Sequence, residues 1–303
     1  MKHLQTFKLI EAVMRCGSIR KAADEMNITA SALNRRIQRF EQEFGSQVFE
    51  RLPGGMRLNP AGELLIQHIR RQFADLAGVQ SQVADLAGER LGTVSLACSQ
   101  ALMPYFLPAQ IAQYRRQHSG VQFTVNVRDR AAAEQDLARY ACDLALVFEP
   151  EHMVNFEVLF VAAQSVNVVM ASDHPLADAD ELRLRDCLQH NCILPSQQYG
   201  VRHLLERSLR TNSVPLHSVV ESESFDFMRH YVLHEQAISF QIPIAIDSEN
   251  SDLVLIPLST KDVPVGRLYL GRLRGRTLPV AAARFSNQLA RAMQDSYEEV
   301  TEQ

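Results

Sequence analysis

Residues 27 to 45, NITASALNRRIQRFEQEFG, place apolar side chains at Leu33, Ile37, Phe40 and Phe44. Spacings of four, three and four draw one stripe along a helix and predict a face turned to a core. The other side carries Ser31, Asn34, Arg35 and Gln38, each able to donate a hydrogen bond. The preceding stretch, SIRKAADEMNI, predicts a short helix with Ser18 as N-cap. Ala22, Ala23 and Met26 form its inner face and allow close helix approach. Asn27-Ile28-Thr29 is a tight link, with Thr29 capping the next helix. Two short helices, a three-residue turn and small residues at the contact spell a helix-turn-helix.

The pattern then changes twice. FERLPGGMRLNPAG sets a Pro-Gly-Gly turn between two short extended pieces, a hairpin or wing, and Asn59 caps a long helix that has Pro60 at its first position. Along that helix Ile66, Ile69, Phe73, Leu76, Gln80, Val83 and Ala87 alternate spacings of three and four. Such a heptad seam pairs with a second copy of the helix or packs on the chain's own body; the first reading makes Ile66, Ile69, Phe73, Leu76 and Val83 dimerisation positions. Beyond Gly92 the strands TVSLAC, VQFTVNV and CDLALVF alternate with helices. A second series follows with SVNVVMA, CILPS, LHSVVES and AISFQ, then LVLIPL and GRLYLGRLR, and a terminal helix from about Leu278. Strands alternating with helices predict parallel α/β units.

Length and composition are compatible with this reading. A chain of 303 residues calls for two or three domains. A hydrophobic content of 46% with 22% charge is that of a soluble globular protein. The start MKHLQTFKLIEAV has no long apolar run behind a basic stretch, and no segment approaches the roughly 18 apolar residues that span a bilayer. Five scattered cysteines suit reduced thiols. The expectation is a cytoplasmic protein with no membrane partner. Net charge is unevenly spread: residues 1 to 59 hold ten Lys/Arg against six Asp/Glu, while the whole chain is at -4. A basic head on an acidic body is the footprint of a nucleic-acid reader with a second task elsewhere.

That footprint gives the polar row a purpose. In a helix-turn-helix the second helix enters the major groove, whose base edges are donors and acceptors. Ser31, Asn34, Arg35 and Gln38 are therefore candidate base readers. Arg36 and Arg39 flank them and suit phosphates; Arg51 and Arg57 bracket the hairpin turn and suit the backbone or the minor groove.

The stretch GSIRKAADEMNITASALNRRIQRFEQEFGSQVFERLPGGMRLNPAG resembles the winged helix-turn-helix of LysR-type transcriptional regulators. Gly17-Ser18-Ile19 with Ala22-Ala23, Ser31-Ala32-Leu33-Asn34, Phe44-Gly45 with Val48-Phe49-Glu50-Arg51, and Asn59-Pro60-Ala61-Gly62 carry the resemblance. It departs at Ala30, where the family often has Gln, and at Asn34, where it usually has Ser, so no operator sequence carries over. The body resembles the family's effector module more weakly, with His174 to Ala177 reading HPLA and Glu235-Gln236-Ala237-Ile238 standing where Gly-x-Gly-Ile is common. The resemblance implies a winged helix-turn-helix over 1–59, a linker (dimerisation) helix over 60–88, and a periplasmic-binding-protein-like effector domain over 89–303. Within the last, subdomain I covers about 92–161 and 268–303, and subdomain II about 162–267. It further implies a double-stranded DNA operator, a dimer or tetramer, RNA polymerase as a partner of an activator, no cofactor and no enzymatic activity.

Open α/β sheets bind ligands outside the C-terminal ends of their strands. Those ends offer Ser99, Gln100, Arg128, Arg130 and Phe148 in the first series, and Ser196, Gln197, Tyr199, Ser222, Ser224 and Gln241 in the second. Ser99 and Ser196 are each expected to begin a helix, and with the two arginines they suggest a small, polar, anionic effector. Alternation does not decide whether Arg128 or Arg130 points inward. An enzyme is disfavoured, since no G-x-S-x-G, H-E-x-x-H or P-loop occurs. His230 and His234 stand four apart but lack a third ligand, so no metal is assigned. Cys187 and Cys192 bracket a short link and leave a redox-sensing regulator of the same fold as the alternative.

Overall fold

The computed structural model describes residues 2–87, 91–212, 217–246 and 252–301, and the chain divides into two compact units, Met1–Ala77 and Gly78–Gln303. The first holds α1 (Lys2–Cys16), α2 (Ile19–Glu25), α3 (Ala30–Phe44), β1 (Phe49–Leu52), β2 (Gly55–Leu58) and the start of α4 (Pro60–Leu86). Local chemistry sets these ends. The Ser18 and Thr29 hydroxyls accept from Lys21 N and Ala32 N, and Gly45, at φ 81°, closes α3 in the left-handed conformation. Ile10, Val13, Ala22, Ala23, Leu33, Ile37, Ile66 and Ile69 form the core. Phe44, expected in that core, is 47% exposed, because it sits at the end of α3 and stacks on Phe40 at 5.5 Å between ring centroids. Strands β1 and β2 form the expected hairpin, with Arg51 opposite Met56. A Cβ on Gly55 would lie 2.3 Å from the Gly17 carbonyl oxygen, which also accepts from Met56 N at 2.7 Å; only glycine lets the wing approach this closely.

The long helix corrects the seam. Ile66 and Ile69 are 1% and 0% exposed and belong to the head's own core, with Phe73 packed against it. Ile66 and Ile69 are therefore interior to the head and Phe73 is half-buried against it, and a regular heptad spacing does not reveal which chain fills the other side. The second half differs: Leu76, Val79, Val83 and Leu86 are 38%, 56%, 61% and 89% exposed. Within the second unit this half turns polar side chains inward. Ser81 Oγ accepts from Val280 N at 3.0 Å, and Asp85 pairs with Arg284 at 2.9 Å.

The second unit runs β3 (Gly92–Cys98), α5 (Phe106–Gln117), β4 (Val121–Val127), α6 (Arg130–Ala138), β5 (Leu144–Phe148), β6 (Phe156–Gln164), β7 (Asn167–Ala171), α7 (Leu184–Cys187), β8 (Asn191–Pro195), α8 (Gly200–Asn212), β9 (Val220–Ser222), α9 (Phe225–Tyr231), β10 (Ala237–Gln241), β11 (Leu253–Pro257), β12 (Gly266–Leu273) and α10 (Val280–Thr301). Two five-stranded sheets result, ordered β4-β3-β5-β12-β6 and β11-β7-β10-β8-β9. They are mixed where purely parallel units were expected. Strand β6 leaves the first sheet and β12 re-enters beside it, so the two run antiparallel, Gln164 facing Gly266 and Phe156 facing Leu273. Strand β7 likewise runs antiparallel to β10 and β11. The inner strands stay parallel, which keeps their C-terminal ends together at the cleft. The expected boundary at residues 88/89 and the first residue of LHSVVES, Leu216, lie outside the described residues.

Candidate nucleic-acid interface and candidate ligand cleft

Helix α3 buries Leu33 and Ile37 and thereby exposes the opposite side. Ser31, Arg35, Arg36, Gln38 and Arg39 are exposed and Asn34 half-buried. The Ser31 and Thr29 hydroxyls share a hydrogen bond of 3.2 Å. Arg39 pairs with Glu43 one turn on, at 2.9 Å. Among the described residues Arg35, Arg36 and Arg57 have no ion-pair partner, so their charge is available to phosphate or to a guanine edge. Across from α3 the wing contributes one contact the spacing did not announce: Arg51 Nη2 donates to Asn34 Oδ1 at 3.0 Å. Seventeen positions separate these residues; only the return of the hairpin brings them together.

In the second unit the strand ends enclose a cavity of about 20 Å³, room for roughly one water. Of the predicted positions, Ser99, Arg128, Arg130, Phe148 and Tyr199 line it, joined by Asp129, Gly200, Val201, Phe225 and Ile242. The chain's own side chains occupy the centre. A Cβ on Gly200 would meet Phe148 Cδ1 at 2.8 Å, and one on Gly266 would meet Phe148 Cζ at 2.2 Å. Tyr199 stands edge-on to Phe225, ring centroids 5.2 Å apart, and burial pushes its phenol upward, so it remains a neutral donor at pH 7.

Polar contacts tie the two subdomains together around that centre. Gln100 Oε1 accepts from Phe225 N at 2.6 Å, and Gln100 Nε2 lies 3.3 Å from Ser224 Oγ. Arg130 donates to the Glu149 and Gln198 carbonyls at 2.8 and 3.2 Å. The Arg229 guanidinium stacks on Tyr105, 5.0 Å from the ring centroid. The two arginines left open by alternation are thus distinguished. Arg128 is ion-paired to Asp136 on α6 at 2.6 Å. Arg130 has carbonyl partners and no carboxylate partner among the described residues.

Several placements differ from expectation. Ser99 caps a single 3-10 turn, Gln100–Leu102, because Pro104 delays the helix to Phe106. Ser196 begins no helix: it follows β8 in a turn, its N–H bonded to Ser222 O, and α8 starts at Gly200. A helix dipole aimed from either serine is therefore not available. Gln197 is exposed in the same turn. Gln241 is fully buried, within 3.4 Å of Arg229 and of Phe225 O, and fastens α9 to β10. His230 and His234 do not share a helix, since α9 ends at Tyr231. Cys187 and Cys192 are buried free thiols, pushed up to about 12 and about 11 by burial. Each stays protonated near neutrality, which makes it a poor nucleophile toward peroxide or disulfide. The residues missed by sequence, Gly200 and Phe225, stand at the starts of α8 and α9; a glycine directly after Tyr199 was the available signal.

Comparison with known proteins bears on both sites. A family model described as the bacterial regulatory helix-turn-helix protein, lysR family, matches residues 4–63, and one described as the LysR substrate binding domain matches residues 87–294. The RuBisCO operon transcriptional regulator of Allochromatium vinosum is 25% identical over 93% of each chain. Among solved structures, a full-length OxyR from Pseudomonas aeruginosa superposes with a TM-score of 0.72 at 19% identity, covering 96% of this chain and 94% of the other. Full-length CbnR, solved in complex with its target DNA, gives 0.56 at 15% identity, covering 96% and 99%. No described helix is long and apolar enough to cross a membrane.

Proposed function

The chain belongs to the LysR family of DNA-binding transcriptional regulators with effector-binding domains, and from that premise we propose how its own residues divide the work. Helix α3 lies in the major groove, with Ser31, Asn34, Arg35 and Gln38 on base edges. Arg36, Arg39 and Arg57 hold phosphates and the wing approaches the flanking backbone. The observation that carries this reading is the row of exposed donors on α3, opposite the buried Leu33 and Ile37. The apolar stripe Leu76, Val79, Val83 and Leu86 pairs with the same stripe of a second copy, giving a dimer or a dimer of dimers. A small polar, anionic effector enters between the subdomains and meets Arg130, whose guanidinium no carboxylate among the described residues neutralises. Since the cleft is closed by Phe148 and the Gln100 contacts, the effector binds an opened arrangement and shifts its population. If the protein activates transcription, RNA polymerase is its further partner.

Selection of binding sites from a random DNA pool by the full-length chain tests the first part. A single recurring motif, lost on Arg35→Ala, is expected; a pool without sequence preference would reject the reading. Thermal shift of the full chain against organic acids, amino acids and neutral sugars tests the second. The expected hit is an acid whose effect disappears in Arg130→Ala. A neutral sugar bound equally by that variant would refute an anionic effector.

A further inference from the structure

The contact between Arg51 and Asn34 has a chemical consequence. Arginine carries only donors, so the 3.0 Å contact from Arg51 Nη2 can be accepted only by the amide oxygen of Asn34. The orientation of that amide is therefore set: Oδ1 faces the wing, and Nδ2, which has no hydrogen-bond partner among the described residues, is the atom left to read. The wing end of the contact is itself held, because Arg51 pairs with Met56 across the hairpin and Met56 N is bonded to Gly17 O.

An asparagine free to turn reads adenine bidentately, accepting from N6 and donating to N7. With its oxygen turned to the wing and held there by a guanidinium, Asn34 directs its NH2 outward, and its remaining lone pair stays on the wing side. Guanine presents two acceptors in the major groove, O6 and N7, and suits a donor-only NH2; adenine presents one acceptor there and a donor that would go unpaired. We propose that Arg51 sets the base preference of Asn34, turning it from an adenine reader into a guanine reader. The wing then determines specificity and does not only clamp the backbone. This rests on α3 being the helix in the groove, as proposed above.

The test selects sites from a random duplex pool with the full-length protein and its variants, then measures binding by anisotropy at fixed salt. The wild type is expected to require guanine at one position of each half-site, with discrimination against adenine of about tenfold. In Arg51→Met that position alone changes toward adenine, and the other positions keep their preferences. In Asn34→Ala the same position loses its preference, and adding Arg51→Met changes the preference no further. Arg51→Met that weakens every duplex equally, with the guanine requirement intact, would overturn the proposal and leave Arg51 a phosphate contact. Arg35→Ala separates the two levels. If it alters the motif while Arg51→Met does not, the inference fails and the groove assignment stands. If neither variant nor Asn34→Ala alters the motif, the groove assignment fails as well.

Discussion

On α3 the groups offered for recognition point away from the protein, whereas in the cleft the corresponding groups are bonded to one another. Ser31, Arg35 and Gln38 are exposed on a helix whose position is set by Leu33 and Ile37. Gln100, Arg130 and Phe148 are positioned by the opposite subdomain, through the Phe225 N–H, the Gln198 carbonyl and Gly200. On the first surface Arg35 and Arg36 have no ion pair among the described residues to give up, while Arg39 is paired with Glu43. In the second, a ligand that takes up these groups must replace contacts they already make with one another. Such a difference fits a regulator in which the DNA-reading face is constant and the arrangement of the effector domain is what a ligand changes.

The largest effect is expected from emptying the cleft from within. Phe148→Ala removes the ring between Gly200 and Gly266 and is expected to cost about 3–5 kcal/mol, read as a lowered denaturation midpoint by circular dichroism. An unchanged midpoint would mean that the ring does not hold the subdomains together. Next comes the contrast along α4. Ile69→Ala should destabilise the head by about 2–5 kcal/mol and leave the oligomer mass as it is. Val83→Asp, on the exposed stripe, should leave the head's stability intact and halve the mass seen by light scattering. Equal masses for Val83→Asp and the wild type would show that the stripe has no partner in solution.

Smaller effects sharpen the head. Arg35→Ala should cost about 1–3 kcal/mol on the preferred site and less on unrelated DNA. Arg36→Ala should weaken all sequences alike and reduce the salt slope by about one. Identical losses on every sequence for both variants would mean that α3 turns a different face to the bases. The smallest effect is on acidification. Burial of His174, with His190 beside it, lowers its proton affinity below the ordinary histidine value. The native body therefore disfavours the charged ring. Its contribution to stability is fully present above the unfolded value near 6.5, and is lost as pH falls through that value toward the lower folded one. The midpoint of thermal unfolding should drop between pH 7.5 and pH 5.5 more in the wild type than in His174→Asn, which keeps an acceptor for the Leu176 N–H. A drop of the same size in both would assign the acid sensitivity to other groups.

The head was legible because its signals are local. Caps at Ser18 and Thr29, the Pro-Gly-Gly turn and a 3.6-residue stripe each act within a few positions, and together they determine a helix-turn-helix, its wing and its outward face. The alternation of strands and helices in the body likewise announced α/β units, while their division into two subdomains facing a cleft was what the family resemblance implied. What the spacing could not decide was which surface an apolar or charged side chain meets. Ile69 and Val83 occupy equivalent heptad positions, yet one is core and the other exposed, because the head's helices cover only the first half of α4. Arg128 and Arg130 are two residues apart, yet Asp136 neutralises one and carbonyls hold the other. Asn34 and Arg51 were both singled out for DNA, and only the folded wing joins them. Periodicity and capping are properties of one segment in water, so the sequence alone determined the elements and their faces. Burial, ion pairing and amide orientation depend on a second segment distant in the chain, and the tertiary structure alone decided those.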